Sequence, residues 1–183
     1  MDRLLLAICL SECRQRGEDN YMEETLRSIQ DRIREVNWAD YETAYGNADE
    51  DIPFYQDIDD GHGSTPKVSK SLIDLFSGDK ANAMKATHDL WCGLCHQHAY
   101  VSSAALPAYD FLLLGLQILD DELKFEIIDI LYGFVICIPK GTYTGWQSQL
   151  RKKMEADKPI FEGFLSNNNH DIAEYVNDIV KEL

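Results

Sequence analysis

Positive charge is what this sequence is short of. Lys and Arg number 17 against 32 Asp and Glu in 183 residues, a formal net charge of −15. A surface so negative repels phosphate backbones and anionic lipid headgroups, so neither nucleic acid nor a membrane is an expected partner. The partner such a field attracts is a basic protein or a cation. Long apolar runs are missing too: Leu4 to Leu10 is short, lacks a small-x-small cleavage site, and passes into the polar stretch Ser11 to Asn20. Nothing approaches the roughly 18 apolar residues of a membrane span. Cysteine is scarce and odd in number, and Cys9, Cys13, Cys92, Cys95 and Cys137 fall within helix-like patterns, which argues against a secreted disulfide framework. These absences point to a single cytoplasmic domain whose 45% hydrophobic content suffices for a core.

Sustained alternation of apolar and polar residues is also lacking, while the i, i+3, i+4, i+7 apolar recurrence of amphipathic helices is nearly everywhere. The expected class is all-α. Residues 2 to 15 and 20 to 36 read as helices broken at Gly17, the second with Met22, Leu26, Ile29, Ile33 and Val36 on one face. From residue 67 to 183 three helical hairpins can be set side by side. The first turns at Ser77-Gly78-Asp79, the second at Asp120-Asp121 and the third at Asn167-Asn168-Asn169. A period near 40 residues, with apolar faces that only a neighbouring hairpin can cover, suits an α-solenoid of HEAT or armadillo kind. Pro66 and Pro159 fit first-turn positions, with Ser64 or Thr65 and Asp157 as caps. Pro107 should kink a helix running from Val101 to Leu119. Cys137-Ile138-Pro139 and Gly141 end the second hairpin. A further helix, about Tyr143 to Glu155, carries Arg151, Lys152 and Lys153 as a solvated basic end.

Between these parts, residues 37 to 66 form an acidic connecting segment. No Lys or Arg occurs there, and Gly46, Pro53, Gly61, Gly63 and Pro66 interrupt any helix. Its acids are Asp40, Glu42, Asp49, Glu50, Asp51, Asp57, Asp59 and Asp60, eight of the fifteen net charges. Trp38, Tyr41, Tyr45, Phe54 and Tyr55 are interleaved with them, and aromatics argue against plain disorder. Aromatic contact area beside carboxylates that can take Arg or Lys is how a surface receives a basic protein. Trp38, Asp40, Tyr41, Glu42, Tyr45, Asp49, Glu50, Asp51, Tyr55, Asp57, Asp59 and Asp60 are therefore the candidate partner-binding residues.

Chemistry is thinly represented. His88, Cys92 and Cys95 can share a helical face with His96 at its edge, but structural zinc draws ligands from two elements, and the only remote candidate pair is Cys9 and Cys13, so the thiols read as core residues and no metal is expected. A redox role for the Cys92, Cys95 pair lacks its βαβ setting. Gly61-His62-Gly63-Ser64 follows acids rather than a strand and has no placed lysine, so no phosphate loop is present. No nucleophile-and-base pair stands out, and neither a catalytic residue nor a cofactor is expected.

The run Leu90-Trp91-Cys92-Gly93-Leu94-Cys95-His96-Gln97-His98-Ala99-Tyr100-Val101-Ser102-Ser103-Ala104-Ala105-Leu106-Pro107 resembles a stretch in small bacterial HEAT-like-repeat proteins of the polymorphic-toxin immunity type. There a helix ends in His-Gln-Gly, and small residues, an apolar residue and Pro begin the next. Here His98 stands in place of that Gly. Tyr45-Gly46-Asn47-Ala48 and Ile52-Pro53 also resemble the segment before the first repeat in such proteins. The resemblance spans about residues 41 to 138. It implies a non-enzymatic immunity protein that binds and blocks a cognate toxin, such as a nuclease, through an acidic surface; the alternative is a generic HEAT-like adaptor in a larger complex. His96, Gln97 and Tyr100 are expected to form the joint between repeats.

Overall fold

Three short turns decide how the chain folds back on itself. At each, a polar side chain accepts from the open N–H groups of the helix that follows: Asp79 from Asn82, Asp120 from Glu122 and Leu123, and Asn169 from Asp171. Such caps satisfy donors that a helix start otherwise leaves bare. Hydrogen bonds from Leu123 and Glu122 also hold the Asp120 carboxyl below the usual carboxylate range, with Lys80 adding to the effect. These are the turns expected from sequence.

The computed structural model describes residues 18–53, 64–141 and 144–183. Its α-helices are α1 (Glu18–Glu35), α2 (Val68–Leu75), α3 (Lys80–Cys95), α4 (Ala105–Ile118), α5 (Asp121–Cys137), α6 (Gly145–Ala156), α7 (Lys158–Glu162) and α8 (His170–Glu182). Short 3-10 turns cover Trp38–Asp40 and His96–His98. Ile52–Pro53 (β1) pairs antiparallel with Ser64–Thr65 (β2), Ile52 opposite Thr65. The class is all-α, with that pairing as a small addition. The helix expected over residues 2 to 15 lies outside the described residues.

Helices α2 and α3, α4 and α5, and α7 and α8 pack as pairs. The second members also touch in series, α3 against α5 and α5 against α8, while α2, α4 and α6 touch in series on the other side. The result is two layers with one continuous buried cluster between them, running from Ile29 to Leu183. In α8, Ile172, Val176 and Ile179 are fully buried at i, i+4 and i+7, the spacing that puts apolar side chains on one face. Each such residue contributes about 1.5–3 kcal/mol by leaving water. Helix α1 joins this core through Ile29 and Ile33, and its Gln30 Nε2 donates to the Phe76 carbonyl at the end of α2 (2.9 Å).

Several local expectations are corrected. Pro107 kinks nothing, because α4 begins only at Ala105 and places Pro107 in the first turn, where its missing N–H has no intrahelical partner to lose. Residues 101–104 are drawn away from helix by bonds to other segments: Ser102 N donates to Leu94 O and Ala104 N to Glu42 O. Pro66 lies two residues before α2, and Ser64 and Thr65 belong to β2 rather than to a cap. Pro159 does open α7, but Asp157 does not cap it; that carboxylate is buried and accepts from Tyr109 Oη (3.2 Å). Arg151, expected in solvent, is also buried.

Candidate functional site

The acidic segment is a strap rather than a loose loop where it is described. Thr43 closes a tight turn on Gly46 (N to O 2.7 Å), and Glu42 bridges to Asn47. Backbone bonds then fasten the strap to the end of α3 and the start of α4: Ala44 N to Gly93 O (2.9 Å) and Ala104 N to Glu42 O (3.0 Å). Ser103 Oγ accepts from Glu42 N, and Tyr45 Oη meets His96 Nδ1 at 3.0 Å. With its own polar groups committed, this backbone is fixed in place.

The candidate binding residues divide accordingly. Asp40, Glu42, Asp49, Glu50 and Asp51 are exposed on or beside the strap. Asp49 pairs with Lys67 Nζ (3.4 Å), and Asp51 Oδ1 accepts from Lys67 N (2.8 Å). Trp38 is 3% exposed and donates its indole N–H to Ile33 O (2.9 Å), so it anchors the core and offers no surface to a partner. Tyr41 is half-buried against Trp38, their rings 6.5 Å apart. Tyr45 is half-buried on His96. Tyr55, Asp57, Asp59 and Asp60 lie outside the described residues.

The joint residues hold backbone conformations that favour glycine. His98 has φ +60° and His96 φ +31°, left-handed conformations that cost an L-residue about 1–2 kcal/mol each. His98 is held there by its ring. Trp91 Nε1 lies 3.3 Å from His98 Nε2, and the Asp129 carbonyl and Oδ1 lie 3.0 and 3.3 Å from the same nitrogen. One nitrogen cannot accept from the indole and donate to Asp129 at once, so the ring tautomer selects between these bonds. His96 also serves the joint, through Tyr45, while Tyr100 is 52% exposed.

What no single-segment reading foresees is a band of rings across α3, α5 and α8. Trp91 and His98 stand 6.0 Å apart, His98 and Tyr132 5.6 Å, and Tyr132 and Tyr175 5.6 Å, each pair edge to face. His88 stacks on Trp91 at one end, and Phe125 meets Tyr175 at the other. All but the exposed His88 are half-buried. The sequence signal was present but scattered, since these rings come from positions as far apart as 88 and 175.

Carboxylates accompany the band. Asp129 borders the His98 ring, and burial followed by the charge of Asp129 pushes Glu126 up. For Glu126 the raised folded-state value means that ionisation opposes folding. The cost is absent below the unfolded pKa, about 4.3, and grows as pH rises through the folded value. Glu126→Gln should therefore raise the urea midpoint at pH 7, with the gain fading by about pH 4. A gain of equal size at both pH values would contradict this origin.

The thiols are quiet. Cys95 is fully buried, its Sγ 3.4 Å from Trp91 O, and burial pushes it far above the ordinary thiol value. Burial raises Cys92 as well, with Asp89 adding to it. Cys92 Sγ lies 3.7 Å from His88 Nε2, but among the described residues no three potential ligands gather into a metal site. Nor, among those residues, is any helix long and apolar enough to cross a membrane. No family model, no curated protein and no solved structure matches the chain.

Proposed function

We propose that this protein is a HEAT-like α-solenoid that acts by binding rather than by catalysis, as an immunity protein that covers the active face of a basic toxin. The observation that carries the reading is the strap: exposed Asp40, Glu42 and Glu50 ride on a backbone bonded to the joint between two hairpins. A negative surface held rigid loses little entropy on binding and steers a basic partner toward it. The serial contacts of α3, α5 and α8 on one side and α2, α4 and α6 on the other support the solenoid.

Co-expression with the products of neighbouring genes tests the role directly. One of them should arrest growth alone and be neutralised by this protein; protection from none of them would sink the immunity reading and leave an adaptor. Within such a complex, Asp40→Lys, Glu42→Lys and Glu50→Lys together should weaken binding about tenfold at low salt, mainly through the association rate, and flatten its salt dependence. Unchanged affinity and salt slope would show that the strap is not the contact.

A further inference from the structure

We propose that the band of Trp91, His98, Tyr132 and Tyr175, flanked by Glu126 and Asp129, binds an extended, arginine-bearing segment of a protein partner. This surface is separate from the acidic strap, and the proposal holds whether or not that partner is a toxin.

The geometry suits a chain lying across the second-layer helices. Successive rings stand 5.6–6.0 Å apart, close to the roughly 6.5–7 Å between same-side residues of an extended peptide. The rings come from α3, the 3-10 turn that follows it, α5 and α8, elements packed on one another, so the row is formed before anything binds. Aromatic side chains with partial exposure and few rotamers are what interface centres are made from.

Charge selects the occupant. Glu126 lies close enough to Asp129 and to His88, which stacks on Trp91, to interact with both, and Asp129, Asp171 and Glu174 all lie near enough to Tyr175 to raise its hydroxyl pKa after burial has done so. Among the described residues no lysine or arginine pairs with Glu126. Burial pushes Glu126 up with only His88 acting against it, so its ionised form lacks full compensation in the free protein. An arriving cation supplies it. A second copy of this chain cannot, because it carries the same excess of negative charge. Arginine fits better than lysine, since a planar guanidinium stacks on a ring while forking to a carboxylate.

The test uses the full chain and a short synthetic peptide alternating arginine with glycine, with a lysine–glycine peptide of equal length and charge as control. Calorimetry at about 0.15 M salt, where charges beyond roughly 8 Å are screened, should give a dissociation constant about fivefold lower for the arginine peptide. Tyr175→Leu should weaken the arginine peptide about tenfold. Glu126→Gln, which is expected to fold more stably than the wild type, should weaken it severalfold, so lost affinity there cannot be put down to unfolding. The strap variants Asp40→Lys, Glu42→Lys and Glu50→Lys should stay within about twofold of wild type at that salt. Absence of binding, equal affinity for both peptides, or losses that follow the strap and spare Tyr175 and Glu126 would overturn the proposal. Failure of toxin protection on co-expression would not touch it.

Discussion

Arg151→Met should lower the free energy of unfolding by about 3–5 kcal/mol, measured as a fall in the urea midpoint with an unchanged slope. Arg151 is 5% exposed and reaches two helix ends from the middle of α6. Its Nη1 donates to Val135 O (3.2 Å) and Ile138 O (3.0 Å), closing α5, and its Nη2 donates to Glu182 O at the end of α8. Helix C-termini leave carbonyls without donors and carry partial negative charge, so one guanidinium satisfies both needs at two ends. Met matches the stem in volume but leaves these acceptors bare in a dry place, where each costs about 1–3 kcal/mol. Arg151→Lys should recover little, because an ammonium is a point donor that cannot span the fork. The ion pair to Glu155 (3.1 Å) contributes less: its carboxylate is 38% exposed, and Glu155→Gln should cost no more than about 1 kcal/mol. If Arg151→Met lost under about 1 kcal/mol, the tie between α5, α6 and α8 would not be what holds the last hairpin down.

Arg151 also shows where sequence reading stops. Beside Lys152 and Lys153 it looks like a solvated helix face, because the carbonyls it serves lie 13, 16 and 31 residues away and send no local signal. Hairpin turns are the opposite case. Asp79, Asp120 and Asn169 are read correctly because a cap and the N–H it accepts from are two or three residues apart. Pro107 fails for a tertiary reason: the pattern of small residues before it is compatible with helix, and only the bonds from Ser102 to α3 and from Ala104 to the strap stop it. The candidate site divides along the same line. Exposure of Asp40, Glu42 and Glu50 follows from their charge, whereas Trp38 turned inward because Ile33 O and the core offered its indole both a partner and cover. The ring band was illegible, since Trp91, Tyr132 and Tyr175 each sit on a different helix and meet only once α3, α5 and α8 pack.

Gly133 on α5 packs closely on the end of α3 and the turn after it, and filling it should be costly. A Cβ there would stand 2.7 Å from His98 Cδ2 and 3.0 Å from both Cβ and Sγ of Cys95. Neither neighbour gives way easily. Cys95 is fully buried at the end of α3, and the His98 ring is pinned between Trp91 and Asp129 on a left-handed backbone. Gly133→Val should therefore destabilise by about 2–3 kcal/mol, the upper range for overpacking. Gly133→Ala should cost about 1–2 kcal/mol even though alanine favours helix by up to about 1 kcal/mol over glycine. Gly115→Ala on α4 is the control: its Cβ would press on Ile127 Cδ1 (2.7 Å) and Leu119 Cδ1 (3.3 Å), ends of side chains that can turn aside. There the helix gain and the crowding should nearly cancel. The two sites also differ in what else they move. Displacing His98 separates Trp91 from Tyr132, so Gly133→Ala should shift the Trp91 indole N–H resonance and weaken the arginine peptide, while Gly115→Ala leaves both as they are. A Gly133→Ala protein as stable as the wild type, with its Trp91 resonance unmoved, would mean that the joint yields to α5 and that the ring spacing is not held by it.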